Sequence, residues 1–382
     1  MLTAKPRLPV KEILLHGWLP SPLKILFYRL KGYHIGRGVS LGIGSVILGE
    51  KVEIGDCVRI GFLTVVRGRT LRIGAHVQIG AMSILDTPHL ELGEGTKINE
   101  QVFVGGLQFP DSRLVVGRNC QIMQMTFINP ARSIVIGDDT GIGGDCLIFG
   151  HTSWLSRFDG YPVDFQSIEI GNSVSIAWRV FLVPGVKIGD GAVVGANSLV
   201  THALPPRCLA VGSPARVVAK APYFPRVVSD TEKESILREI VAGMQDFFAG
   251  YGLRCETGED LISITQRVRN WVWQEERTWR LAVTYDAMTD ARVRVLPPRL
   301  DVLLSLRQIP DPVRAWLNQQ GVMWIDVECK ERSDLGNNLG EETAMYLRRY
   351  GVRLLRVPRR GPASKAAAVK LGLADKTAGA DL

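Results

Sequence analysis

The chain has 382 residues, 46% hydrophobic and 22% charged, a globular composition with room for two domains that excludes whole-chain disorder. Lys and Arg outnumber Asp and Glu by 46 to 38, a net charge of +8. That surplus favours anionic partners (a phosphorylated cofactor, an acidic glycan, an anionic membrane face or nucleic acid) without choosing among them. The six cysteines are scattered and form no C-x-x-C; they read as reduced cytosolic thiols. No apolar run reaches the ~18 residues of a membrane span, and the N-terminus lacks the apolar run and cleavage site of a signal peptide.

Residues 1–33 come first. Within them LPVKEILLHGWLPSPLKILFYRLK, 8–31, mixes apolar clusters with Lys and Arg, and Pro20 and Pro22 divide it into two short segments. It reads as a helical cap over the open end of a repeat that begins at residue 35, or as an interfacial helix pair on an anionic membrane. The cap is the preferred reading, and the two can coexist.

From residue 35 to 200 an aliphatic recurs every six residues, in eight groups of three. The groups begin Ile35, Leu41, Ile47 and Ile54, Ile60, Val66, and end Ile170, Ile176, Leu182 and Ile188, Val194, Val200. Four residues after the first two members of each group stand small or β-branched residues such as Val58, Thr64, Thr126, Thr140 and Ser198. This predicts a triangular solenoid: three short strands make one coil, each aliphatic points inward, and it stacks on its equivalent in the next coil. Gly often follows the aliphatic and is assigned to the corners, where permissive backbone angles are needed. Eight coils at strand spacing give a prism about 38 Å long. Most gaps between groups are short. The gap from Val104 to Val116 is longer, and that from Ile148 to Ile170 longer still. Loops on a rigid scaffold tend to carry function, so the second insertion is the first place to look for chemistry.

The segment from Ile170 to Lys220 contains PGVKIG, VVGANSLVT and GSPARVV. It resembles the end of the hexapeptide-repeat acyltransferases, which include maltose, xenobiotic and polysaccharide O-acetyltransferases, and the resemblance covers residues 34–220. It implies a left-handed parallel β-helix, a homotrimer and acetyl-CoA as donor; the left hand comes from the resemblance alone. It also implies a catalytic His on a loop leaving the prism, a place held here by His151 in GHTSWLSRFDGYPVDFQS. An acceptor hydroxyl or amine must lose a proton as it attacks the thioester, and an imidazole suits that general-base role. Asp145 and Asp159 are the carboxylates considered for holding the ring. By the same resemblance Ala177, Ala196 and Ser198 line the path of the pantetheine arm, and Thr201, His202, Arg216 and Lys220 meet phosphates or adenine. The segment departs from the family pattern at Ser175, Ala177, Trp178 and His202, in the part that the resemblance assigns to the donor pocket. Trp154, Phe158 and Tyr161 read equally as a sugar-stacking wall or as the loop's own small core.

Past Lys220 the repeat stops. Residues 225–358 read as a separate α/β domain of unknown role, giving a mainly β chain with a C-terminal α/β unit. Helices are expected at 229–250, 261–276, 312–319 and 340–350, with strands at 279–285, 301–306, 322–327 and 352–357. Residues 359–382 read as a disordered tail. In WIDVECKERSD, Asp326, Glu328 and Lys330 alternate in a pattern also found at nuclease metal sites, but short enough to read as a solvated strand end.

The expected activity is transfer of acetyl from acetyl-CoA to a hydroxyl of a sugar or envelope-polysaccharide precursor, in the cytoplasm and at the inner membrane face if the N-terminal segment binds there. N-acetylation of an amino sugar and a catalytically silent trimeric scaffold remain as alternatives. A zinc lyase on the same prism needs three converging imidazoles, and the spacing of the six histidines shows no such cluster, so no metal is expected. Charge this diffuse, without a recognised motif, gives no nucleic-acid partner.

Overall fold

The computed structural model describes residues 8–258, 261–269, 274–289, 296–297 and 299–357. The stretch expected to be a disordered tail lies outside them. The chain divides into two compact units, Met1–Val227 and Val228–Leu382.

In the first unit three sheets of 8, 10 and 8 strands, parallel throughout the coils, form the faces of a prism. Every coil contributes one strand to each face, and the spacing of the aliphatics is the register of the ladders. Ile35 pairs with Ile54, Ile54 with Ile73 and Ile170 with Ile188 on the first face; Leu41 with Ile60 on the second; Val104 with Ile128 and Ile128 with Ile148 on the third. All are buried in one continuous core. The small residues at the corners are buried too, and their side chains close the turns. Thr64 Oγ1 donates to the Gly80 carbonyl at 2.7 Å, Thr126 to Gly143 at 2.9 Å and Thr140 to Gly171 at 2.8 Å. Each hydroxyl thereby satisfies a corner carbonyl of the next coil that would otherwise be orphaned.

The glycine after each aliphatic has a different role from the one expected. Gly80 has no left-handed φ; a Cβ there would meet the backbone of Asn99 and Glu100 in the next coil at 2.4 Å. Close approach, not backbone freedom, requires glycine. The left-handed residue of each turn comes two positions later and is often not glycine, as at Cys57 (φ 57°), Leu63 (φ 51°) and Met82 (φ 57°). The stacking of coils imposes that conformation against a local cost of about 1 kcal/mol.

The N-terminal segment forms a short α-helical and π-helical stretch, Val10–Glu12 and Ile13–Gly17, then the helix Ser21–Leu30. Its polar side chains meet the unpaired backbone of the first coil. Lys24 is wholly buried and donates to the carbonyls of Gly42 and Ser45 and to Ser45 Oγ. Tyr28 Oη accepts from Ile47 N at 2.9 Å, Ser21 Oγ accepts from Leu41 N at 2.9 Å, and Tyr33 Oη donates to the Gly49 carbonyl. At the far end the strands Cys208–Gly212 and Ala215–Lys220 fold as an antiparallel hairpin onto the second face.

The second unit is a seven-stranded mixed sheet with helices Asp230–Gly250 and Asn338–Arg348 on one side and Asp311–Gln319 on the other. The first helix is capped by Ser229, whose Oγ accepts from Glu232 N at 3.2 Å. The expected helix over 261–276 is instead the strand Leu261–Arg269, paired antiparallel with Gln274–Thr284. Its β-branched residues decide this: Ile262 and Ile264 alternate into the core, and the hydroxyls of Thr265 and Thr278 meet across the pair at 3.0 Å. The sheet also contains the strands Arg254–Thr257 and Glu331–Ser333, outside the expected strand ranges.

The alternation expected of Asp326, Glu328 and Lys330 is absent, because the strand ends at Asp326. Asp326 is fully buried rather than solvated. Its carboxylate accepts from the backbone of Ile309 and Cys329, each at 2.8 Å, and pairs with Arg314 at 2.7 Å. Arg314 also meets Glu331 and lies over the Trp324 ring. The acid is committed to holding the turn.

Candidate active site

Both long insertions leave the prism at one corner, where third-face strands hand over to the first face. One follows Phe103–Val104 and the other Leu147–Phe149, two coils later. They meet there: the Phe109 and Phe165 rings pack edge to face at 5.1 Å, and the Arg132 guanidinium lies 4.0 Å over Phe109. The second insertion is pinned at its base by a bridge between His151 and Phe165 and by Thr152 N donating to the Asp164 carbonyl at 3.0 Å. Beyond it the chain makes a turn, Arg157–Asp159, capped by Ser156. At this tip Trp154 and Phe158 are almost fully exposed, so they form no core of their own loop.

His151 therefore sits at the root of the insertion, where its backbone is fixed. Its ring packs near Phe149 and Phe165. Burial lowers its pKa below the ordinary imidazole value, so the ring is neutral at neutral pH, the form a general base requires. Nδ1 lies 3.2 Å from Ser153 N and accepts its N–H. Nε2 lies 2.8 Å from the side-chain amide of Asn129. A neutral ring cannot accept at both nitrogens, so at rest the amide oxygen of Asn129 faces Nε2–H. This orientation also gives a partner to an Asn129 oxygen that is otherwise buried without one.

Asn129 is not singled out by any motif in the sequence. It ends the strand Phe127–Asn129 one coil below, in register with Phe149, and is buried. The two glycines at 105 and 106 leave room for it, since a Cβ on Gly106 would meet its amide nitrogen at 2.5 Å. The register could have exposed it: stepping back one coil from His151 reaches Asn129, Pro130 and Ala131, and only the first has a polar side chain. Asp145 and Asp159 do not hold the ring. Asp145 pairs with Arg179 at 3.3 Å on another corner, and Asp159 lies in the tip turn.

The remaining site residues fall into three places. Thr201 and His202 follow the strand Leu199–Val200 at the corner of His151, two coils further along, about 10 Å by strand spacing. Thr201 Oγ1 and His202 Nδ1 lie 2.7 Å apart. Ala177 and Ala196 lie on the corner joining the second and third faces. There Trp178 stands over Gly144, where a Cβ would meet its ring at 2.4 Å, so this departure from the family pattern is matched by a glycine one coil below. Ser198 is buried behind that corner, its Oγ accepting from Gly212 N at 3.1 Å. Arg216 and Lys220 are exposed on the closing hairpin: Arg216 pairs with Val211, next to the corner of Ala196, and Lys220 pairs with Cys208 at the hairpin's other end.

The faces differ in chemistry. Outward positions of the first face carry charges such as Glu53, Arg72, Glu169 and Lys187. The equivalent column on the third face is Ile84, Phe103, Phe127, Leu147, Phe181 and Leu199. Phe103, Phe127, Phe149 and Phe181 form a ring ladder at 5.1–5.5 Å, with His151 beside Phe149. Among the described residues no group of three potential metal ligands occurs, and no helix is long and apolar enough to cross a membrane.

No protein-family model matches the chain. Sequence relatives do. A protein of Schizosaccharomyces pombe described as an acetyltransferase is 32% identical over 102 residues, 27% of this chain and 47% of that protein. The galactoside O-acetyltransferase of Escherichia coli K12 is 33% identical over 131 residues, 34% of this chain and 61% of that enzyme. The prism resembles the hexapeptide-repeat acetyltransferases. The matched stretches span about half to three fifths of these relatives' own length. A solved hexapeptide-repeat acetyltransferase from Vibrio cholerae, complexed with acetyl coenzyme A, is 22% identical with a TM-score of 0.27, over 55% of this chain and 81% of that one.

Proposed function

We propose that the chain transfers an acetyl group from acetyl-CoA to a hydroxyl of a sugar or envelope-polysaccharide precursor in the cytoplasm, with His151 as general base. The observation that carries this reading is a neutral, partly buried imidazole facing a buried amide at the corner where both long loops converge. An acceptor hydroxyl enters between Asn129 and Nε2. Its oxygen attacks the thioester carbonyl, its proton passes to Nε2, and the tetrahedral intermediate collapses with release of CoA thiolate, which takes the proton back. Nδ1 then has to carry the resting proton, so the 3.2 Å contact to Ser153 N opens when the acceptor binds. The Asn129 amide, turned over, donates to the attacking oxygen.

Supporting the donor assignment, Thr201 and His202 lie on the His151 corner at a distance suited to an extended thiol arm, and the small residues Ala177 and Ala196 lie on the neighbouring corner, which they share with Trp178. The O-linked acceptor takes support from the name of the E. coli relative. A homotrimer belongs to the same reading: the third face presents the apolar column a partner copy would cover, and His151 stands at its edge.

Thiol release from acetyl-CoA with a panel of sugars and oligosaccharides tests this. Turnover with one acceptor should fall about 10²–10⁴-fold in His151→Ala, the usual cost of removing a general base. Turnover that survives the substitution moves the base elsewhere. Absence of both turnover and CoA binding favours the scaffold.

A further inference from the structure

The helix Ser21–Leu30 is amphipathic in the reverse sense to a surface helix. Ser21, Lys24 and Tyr28 turn towards the prism and bond its first coil. Leu23, Leu26, Phe27 and Leu30, spaced i, i+3, i+4 and i+7, form the outer stripe and are 39–80% exposed. The preceding segment adds Leu14 (67% exposed), Leu15 (79%) and Trp18 (54%). Capping the prism explains the polar side alone. Contiguous leucines on the outer side mark a surface that something apolar covers.

The charges around the stripe indicate what covers it. Lys11 and Lys31 are exposed, while the Arg29 guanidinium turns to the prism and donates to the carbonyls of Ile35 and Gly36; the sequence before the stripe adds Lys5 and Arg7, and Glu12 is the one acidic residue in the first 31. A second copy docking by the same patch would set these cations against their own equivalents, which disfavours pairing. An anionic bilayer offers acyl chains to the leucines and headgroup phosphates to the cations, with an indole at the depth where Trp partitions.

We propose that the outer side of the N-terminal cap is a peripheral docking surface for an anionic lipid bilayer, seating the chain on the membrane through the capped end of its prism. The inference does not rest on the acetyl-transfer reading and stands or falls without it.

Flotation of the full chain with phosphatidylcholine vesicles, with and without phosphatidylglycerol, tests it. The wild type should float with the anionic vesicles. The triple substitution Leu15→Asp, Leu26→Asp, Leu30→Asp, made at exposed positions, should abolish flotation without changing the circular dichroism. Lys11→Gln with Lys31→Gln, which leaves the apolar stripe intact, should weaken partitioning about fivefold per cation removed. A wild type that stays at the bottom of the gradient, or a triple variant that floats as well as wild type, overturns the proposal. Flotation indifferent to phosphatidylglycerol overturns the anionic assignment. Sedimentation velocity showing that the leucine substitutions break an oligomer, with no flotation of the wild type, gives the surface to a second copy instead.

Discussion

In the prism the neighbours of a buried side chain are its own equivalents: Ile60 lies between Leu41 and Ile79, one coil away on either side. In the C-terminal unit consecutive residues of one strand serve different cores. Val302 and Leu304 pack under the helices Asp230–Gly250 and Asn338–Arg348, while Leu303 between them packs with Val313 and Leu317 on the opposite side. The first arrangement makes stability a chain of nearest-neighbour contacts along one axis. The second ties together residues far apart in sequence. A substitution in the prism should act through the adjacent coil, and one in the C-terminal unit through a network.

Asp326→Ala tests the network and carries the largest expected effect on stability. It leaves the largely buried Arg314 guanidinium with Glu331 as its remaining carboxylate and orphans the N–H groups of Ile309 and Cys329. Breaking such a pair from one side costs about 3–5 kcal/mol, readable as the fall in the C-terminal unit's unfolding midpoint. An unchanged midpoint would mean that Asp326 does not hold the unit together.

The same contrast explains what is legible in the sequence. The aliphatic spacing gives the prism because every coil repeats the same contacts at nearly constant sequence separation. The glycines after the aliphatics mislead because their requirement lies in the next coil: what a Cβ on Gly80 would meet is the backbone of Asn99 and Glu100. Asn129 is hidden for a related reason. Its contact with His151 depends on matching coils of unequal length, and the loop draws attention only by its size. In the C-terminal unit Leu261, Ile264 and Val268 stand at i, i+3 and i+7, a helical spacing. The alternation of Ile262 and Ile264 into the core, completed by the antiparallel partner Gln274–Thr284, overrides it.

A pair of glycine substitutions sharpens the comparison at smaller effect. Gly80→Ala places a methyl against backbone that is held in the ladder of the next coil, and should cost about 3 kcal/mol, the upper range for overpacking. Gly321→Ala in the C-terminal unit meets nothing within 4 Å, but must hold a left-handed φ of 73°, a strain of about 1 kcal/mol. Chemical denaturation of both variants should rank them in that order. Equal losses would mean that the coils can move apart, and that backbone conformation, not close approach, selects glycine after the aliphatic.

The smallest effect concerns protons and separates the units by composition. All six histidines lie between 16 and 202, so imidazole titration belongs to the first unit. Burial lowers the pKa of both His16 and His151. The folded state therefore holds fewer protons than the unfolded chain between the lowered values and about 6.5. Stability rises with pH across that window, and is lost as pH falls from about 6.5 towards the folded values. If His151 is the base, as proposed, it works when neutral, and the acid limb of kcat/KM should lie below the ordinary imidazole midpoint rather than at it. A limb at or above about 6.5, the unperturbed imidazole value, would show that the ring is solvated before the acceptor binds, opened from the Phe149 and Phe165 pocket by a partner copy. A limb below it, shifted upward by Phe165→Ala, would assign the lowering to the insertion that closes over His151.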